Sequence, residues 1–268
     1  MINAVINISL RVLLRHKLLS LAIFAIAAVL LSAALAAQFG GRQPVTVALD
    51  VGLSALRLVL PLFMVFQVQV LFSREFERKY YQLSLTYPIS RPAWLLGRFF
   101  ALLCVSLALL LLIAAALGVQ VALIGAGYEQ ATPVSLGLPY GLTIAFVALD
   151  LLVLLCLACF LAVLAATPSL VLIGTLGFML IARSYSGVLA LLAADTGAVA
   201  NAEAYRANLG LLGYLLADLG ALDVRMIALY GRIEFLPAEW PALVIGAAAY
   251  ALGFLALTGW LFRRKQFA

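Results

Sequence analysis

Six separate runs of about twenty or more mostly apolar residues divide this chain, and a water-soluble fold has no means of covering them all. They lie at 18–37, 47–72, 94–124, 138–166, 169–194 and 242–262. Each is long enough to cross a hydrocarbon core of about 30 Å as a helix. The runs are continuous rather than alternating, and backbone facing lipid must satisfy its own polar groups. The pattern therefore predicts an all-α integral membrane protein with six transmembrane helices, one transmembrane domain over 1–268. Thr167, Pro168 and Ser169 mark the break between the fourth run and the fifth. Proline there ends one helix and opens the next, which predicts an antiparallel hairpin.

The charges say which way the helices run. Only 10% of the 268 residues are charged, against roughly a quarter in soluble domains. The net charge of +6 is not gathered into one stripe, which argues against nucleic acid as a partner. Arg11, Arg15 and Lys17 precede the first span, Arg74, Arg78, Lys79, Arg91 and Arg98 flank the connection between the second and third, and Arg263, Arg264 and Lys265 follow the sixth. Arg42, Arg206, Arg225 and Arg232 fall on the other side. By the positive-inside rule both termini are expected to be cytoplasmic. The apolar core of the first run is long for a cleaved signal, so it is read as a retained span. Residues 1–17 are basic and moderately amphipathic. They fit an interfacial helix under anionic headgroups, and equally a first helix prolonged into the cytosol.

Catalytic chemistry finds no footing. His16 is the one histidine, and no G-x-x-x-x-G-K-[ST] phosphate loop occurs, so the chain itself is not expected to be an enzyme. Cys156 and Cys159 share a helix face, but two thiols without His or Met nearby make a poor metal site. With Cys104 they are read as small apolar packing residues, and neither metal nor disulfide is expected.

The cytoplasmic connection at 73–92 carries the most information. Glu75 and Glu77 stand among basic residues including Arg78, and no helix breaker occurs over 74–86, which predicts a short helix. Pro88 and Pro92 then predict a turn, with Ser90 capping the helix that carries Trp94 inward. Such a helix and turn would pass force on this face into the second and third spans. The Glu75-x-Glu77 pair, the Tyr87-Pro88-Ile89-Ser90-Arg91 turn and the Leu95-Leu96-Gly97-Arg98 run resemble, in order and spacing, the same region of ABC type-2 permeases. Arg78-Lys79-Tyr80 stand where that family usually has Gly-Thr.

The resemblance implies the membrane subunit of an ABC exporter in a bacterial cytoplasmic (inner) membrane. It implies two copies of an ATP-binding subunit, which would hold the ATP and Mg²⁺, and a second permease subunit forming a homodimer or heterodimer. Residues 1–17 become an elbow helix among membrane lipids, and Glu75, Glu77, Arg78, Tyr87, Pro88, Ser90 and Arg91 become the contacts to the ATPase subunit. The other reading of the chain is a secondary transporter without ATP, or a scaffold for assembly or maturation of extracytoplasmic proteins. Secondary transporters tend to show paired repeats and interrupted helices, and neither stands out here.

Three ionisable residues fall inside spans, where charge is costly: Arg57, Asp150 and Arg183. Counting residues from the span ends puts them at similar depth, so Asp150 is expected to pair with Arg183 or Arg57. Asp50, Ser54 and Arg57 share a face of the second span. Such a polar patch serves either a translocation path or the cohesion of the bundle. In the external segment 195–241, helical spacing predicts helices near 205–219 and 224–230 that cover the outer mouth.

Overall fold

The computed structural model describes residues 2–15, 17–73, 90–127, 133–165, 167–193 and 217–264. Among the described residues the regular structure is helical, with no strand. The helices are α1 (Ile2–Arg15), α2 (Leu18–Phe39), α3 (Pro44–Val68), α4 (Arg91–Ala126), α5 (Leu138–Leu164), α6 (Pro168–Ala193), α7 (Met226–Tyr230) and α8 (Trp240–Arg264). A π-helical turn, Gln69–Ser73, continues α3, and a 3₁₀ turn, Ile233–Phe235, separates α7 from α8. Six helices, α2 to α6 and α8, are long and apolar enough to cross a membrane.

Most of these helices outrun the apolar runs by a few residues because caps, not hydropathy, set their ends. Pro44, Pro92 and Pro139 sit in first turns and Pro168 opens α6. An N–H there has no helical partner to lose. Pro92 therefore lies inside α4 and forces no turn, and Arg91 is the first helical residue rather than part of a loop. Ser90 stands at the N-cap position with extended backbone, but its hydroxyl makes no capping bond. α4 is held open by proline and its backbone ladder, beginning with Trp94 N–H to Ser90 O at 3.1 Å.

α1 is a separate helix. It ends before Lys17, whose left-handed φ of 59° turns the chain into α2, so the two do not form one long rod. Val5, Ser9 and Leu13, spaced four apart, are its buried stripe. That stripe seats on α4 where Gly97 lies: a Cβ at Gly97 would stand 2.7 Å from the Val5 Cβ. Gly97→Val is expected to lift α1 and cost about 1–3 kcal/mol by overpacking. Thermal denaturation in detergent, with protease cleavage near Lys17, reads this directly; a wild-type melting point and cleavage rate would refute the seat.

α3 and α5 form the interior of the bundle, while α2, α6 and α8 lie at its periphery. Ile23, Phe24 and Leu31 on α2, Ile173, Leu180 and Ile181 on α6, and Ile245 and Leu252 on α8 are exposed, as lipid-facing side chains are. Trp240 and Trp260, each about half exposed, stand 20 residues apart on α8. That is about 30 Å of helix, the thickness of a bilayer core, with an aromatic anchor at either edge. The exposed Arg11, Arg15, Lys17, Arg91, Arg263 and Arg264 gather at the end where α1 lies, here the basic end. At the opposite end the described part of the segment between the fifth and sixth spans, 217–240, folds back onto the bundle. Ser135 N–H donates to Ala228 O at 3.0 Å and Gly220 N–H to Ala182 O at 3.3 Å. α7 starts at Met226, close to the predicted 224–230 helix, but residues 217–219 are not helical; 205–216 lie outside the described residues.

Candidate functional site

Two features stand out, one at each end of α3. The first is a charge network beneath residues 217–225. Asp50, Ser54 and Arg57 line one face of α3 at helical spacing. The Arg57 guanidinium is buried: its Nη1 meets Asp223 Oδ2 at 2.5 Å, and its Nη2 donates to Leu219 O at 3.0 Å and lies 3.5 Å from Asp150 Oδ2. Asp150, 1% exposed on α5, also receives Arg183 Nη2 from α6 at 2.6 Å. Arg225 then ties residues 217–225, here the strap, back to α3, with Nη1 at 3.0 Å from Asp50 Oδ1 and Nε at 3.4 Å from Asp223 Oδ2. The same guanidinium donates to Ser54 Oγ, whose hydroxyl donates to Asp50 O at 2.8 Å. Three carboxylates thus face three guanidiniums, and the cluster is neutral.

Arg183 does a second job. Pro61 sits inside α3 and has no N–H to give to the carbonyl four residues back, which belongs to Arg57. Arg183 Nη1 donates to that carbonyl at 2.9 Å. The acceptor orphaned by proline is satisfied by the neighbouring helix, which fixes α6 against α3 at the depth where Asp150 lies. The strap approaches α6 just as closely. A Cβ at Gly220 would be 2.6 Å from the Arg183 carbonyl oxygen, so only glycine permits this contact.

The structure thus brings Arg57, Asp150 and Arg183 together, and Asp150 takes both arginines rather than one. Residues 219–225 bond to the Asp50, Ser54 and Arg57 face, where Arg57 is buried while Ser54 and part of Asp50 remain exposed. The sequence reading missed Asp223, Arg225 and the Leu219 carbonyl. They sit at or between the ends of the short helices expected near 205–219 and 224–230, where apolar spacing does not say which span each charge meets. One signal was available: a proline four residues after an intramembrane arginine.

The second feature is an aromatic clasp at the basic end. Phe72, in the π turn closing α3, meets Trp94 edge-on at 5.8 Å between ring centroids, and Trp94 stacks on Phe262 of α8 at 5.1 Å. Arg98 is not a solvated flank residue: it is 6% exposed, lies 3.9 Å over the Trp94 ring, and donates to Leu71 O. Arg91 Nη1 donates to Arg263 O at 3.2 Å. Gln69 Nε2 reaches Pro168 O at 2.9 Å, adding the α5–α6 hairpin. Ser90 and Arg91 border the clasp, while Glu75, Glu77, Arg78, Tyr87 and Pro88, with the expected helix at 74–86, lie outside the described residues. Cys156 and Cys159 are buried in the apolar core as free thiols, and Cys104 is exposed. Among the described residues, no group of three His, Cys, Asp or Glu could hold a metal ion. Compared with known protein families and with curated proteins, the chain matches no family model and no curated protein.

Proposed function

We propose that this chain is the permease subunit of an ABC transporter, moving substrate across or out of a bacterial cytoplasmic membrane with ATP hydrolysed by a separate subunit. In this reading both termini and the basic end are cytoplasmic, and α1 is an elbow helix lying among the lipid headgroups. Two copies of the ATP-binding subunit, carrying ATP and Mg²⁺, dock on 73–92, and a second six-span subunit, identical or different, completes the pathway. The observation that carries the reading is the clasp. Phe72 and Trp94 flank the two described ends of the connection, Ser73 and Ser90, and their rings touch each other and, through Trp94, Phe262. A push on that segment has a rigid block to act on, and the block belongs to α3, α4 and α8 together.

α3 can convey the motion. It has a π turn at one end and a proline at mid-length, both sites where helices bend. Beyond Pro61 it bears Arg57, which holds the strap through Asp223 and Leu219. Tilting the outer half of α3 would pull Arg57 and Asp50 away from the strap and uncover the polar face beneath. A buried charge network of this kind suits a gate, since packed interfaces switch rather than deform gradually.

The test is purification from native membranes in mild detergent, followed by identification of bound proteins. A stoichiometric subunit with a phosphate-binding loop is expected. Glu75→Gln and Arg91→Gln should each lower substrate-stimulated ATP hydrolysis by about tenfold or more, the loss of roughly one charge-assisted bond. Wild-type stimulation in both variants would defeat the lever, and a chain that transports unaccompanied would favour the secondary-transporter or scaffold reading.

A further inference from the structure

The basic end holds a groove beside the clasp, sharing Phe262 with it and lying apart from the charge network. It runs between the start of α4 and the end of α8, has a volume of about 320 Å³, and is walled by Pro92, Leu95, Leu96, Ala256, Gly259 and Trp260. Its walls are apolar apart from the rim, where Arg263 also lines it. Nothing lies within 4 Å of where a Gly259 Cβ would be, so the groove is open at mid-length. Its base is firm, because Phe262 is stacked on Trp94 and Arg91 pins the Arg263 carbonyl.

We infer that this groove binds one anionic phospholipid, an acyl chain lying along α4 and α8 and the phosphate held by Arg263 and Arg264. The level is set by Trp260, which stands at one edge of the bilayer by its spacing from Trp240. A groove at this height opens onto lipid, so an acyl chain is the occupant that surrounds it. The headgroup follows from charge. Arg264 lies 4.5 Å over the Trp260 ring, which presents a guanidinium at the mouth of the groove beside Arg263. Stacking uses the guanidinium face and leaves its in-plane N–H donors for a phosphate. Neither guanidinium has a carboxylate partner among the described residues, and every described carboxylate lies in the network or toward the opposite end. Apolar contact plus a basic cluster is the two-part arrangement that retains a single lipid. This inference does not depend on ATP or on transport.

The experiment mixes the purified chain in detergent with phosphatidylglycerol or phosphatidylcholine of identical acyl chains and counts retained lipids by native mass spectrometry. One phosphatidylglycerol is expected to stay bound and phosphatidylcholine to be lost. The double variant Arg263→Gln/Arg264→Gln should weaken phosphatidylglycerol binding by about twenty-five-fold, at roughly fivefold per arginine. Gly259→Leu fills the groove, leaves both arginines in place, and should abolish retention while the melting temperature holds. Equal retention of the two lipids by the wild-type chain would overturn the site, as would undiminished phosphatidylglycerol on the Gly259→Leu variant. Displacement of the lipid by an equal concentration of glycerol phosphate would also overturn it, because the headgroup alone would then account for binding.

Discussion

Asp150→Asn is expected to destabilise the protein by about 3–5 kcal/mol, the usual cost of removing one partner from a buried ion pair. Nearly all of that cost comes from what is left behind. Arg183 and Arg57 would keep two positive charges in the bundle with Asp223 as their one carboxylate partner among the described residues, and Arg183 would lose its 2.6 Å partner. The size of the substitution is negligible, so packing stays as it was. SDS titration of the purified protein measures the loss. Arg183→Gln added to Asp150→Asn restores charge balance and should recover about 2 kcal/mol or more, since coupled neighbours depart from additivity by that order. Single losses that simply add in the double variant would show that the two side chains do not act as a pair.

Trp94→Ala should be the most damaging single change at the basic end. Trp94 touches Phe72 and Phe262 and lies under Arg98, so its removal opens a cavity among α3, α4 and α8. A loss of about 3–5 kcal/mol is expected for a fully buried tryptophan, measured by the same titration. The functional effect is separable. In the proposed assembly the ATP-binding subunits would still dock on 73–92 and hydrolyse ATP at the basal rate. Stimulation by substrate should disappear, because the push would no longer reach α3. Trp94→Phe keeps an aromatic ring and should restore most of the stimulation. Full stimulation in Trp94→Ala would separate the clasp from coupling.

The helices could be read from the sequence because lipid imposes one demand on every span, a long apolar helix, and that demand is visible residue by residue. Helix ends were less legible. Proline at 92 reads as a breaker in isolation, yet in a first turn it costs nothing, so α4 begins ahead of it. Within the bundle, the expected meeting of Asp150 with arginine rested on depth alone, which locates residues along the membrane normal but not around the helix axes. Two arginines at one depth were therefore indistinguishable, and the structure places both on Asp150. Asp223 and Arg225 were invisible for the opposite reason. They lie in a connecting stretch whose apolar spacing suggests short helices but fixes neither their depth nor their direction, and only the strap's return to α3 brings them to Arg57, Asp50 and Ser54. For Arg98 the sequence shows the sign of the charge but not the tryptophan ring one turn earlier that takes it in.

The account stands or falls on whether an engine outside this chain drives it. The measurement is ATP turnover by the protein purified from native membranes and placed in lipid vesicles, with transport followed in parallel. The expected result is hydrolysis that co-purifies with a bound P-loop subunit, rises with substrate, and loses that rise in the Glu75→Gln and Trp94→Ala variants. Vesicles holding this chain alone that transport at full rate, with no nucleotide-hydrolysing companion present, would contradict it.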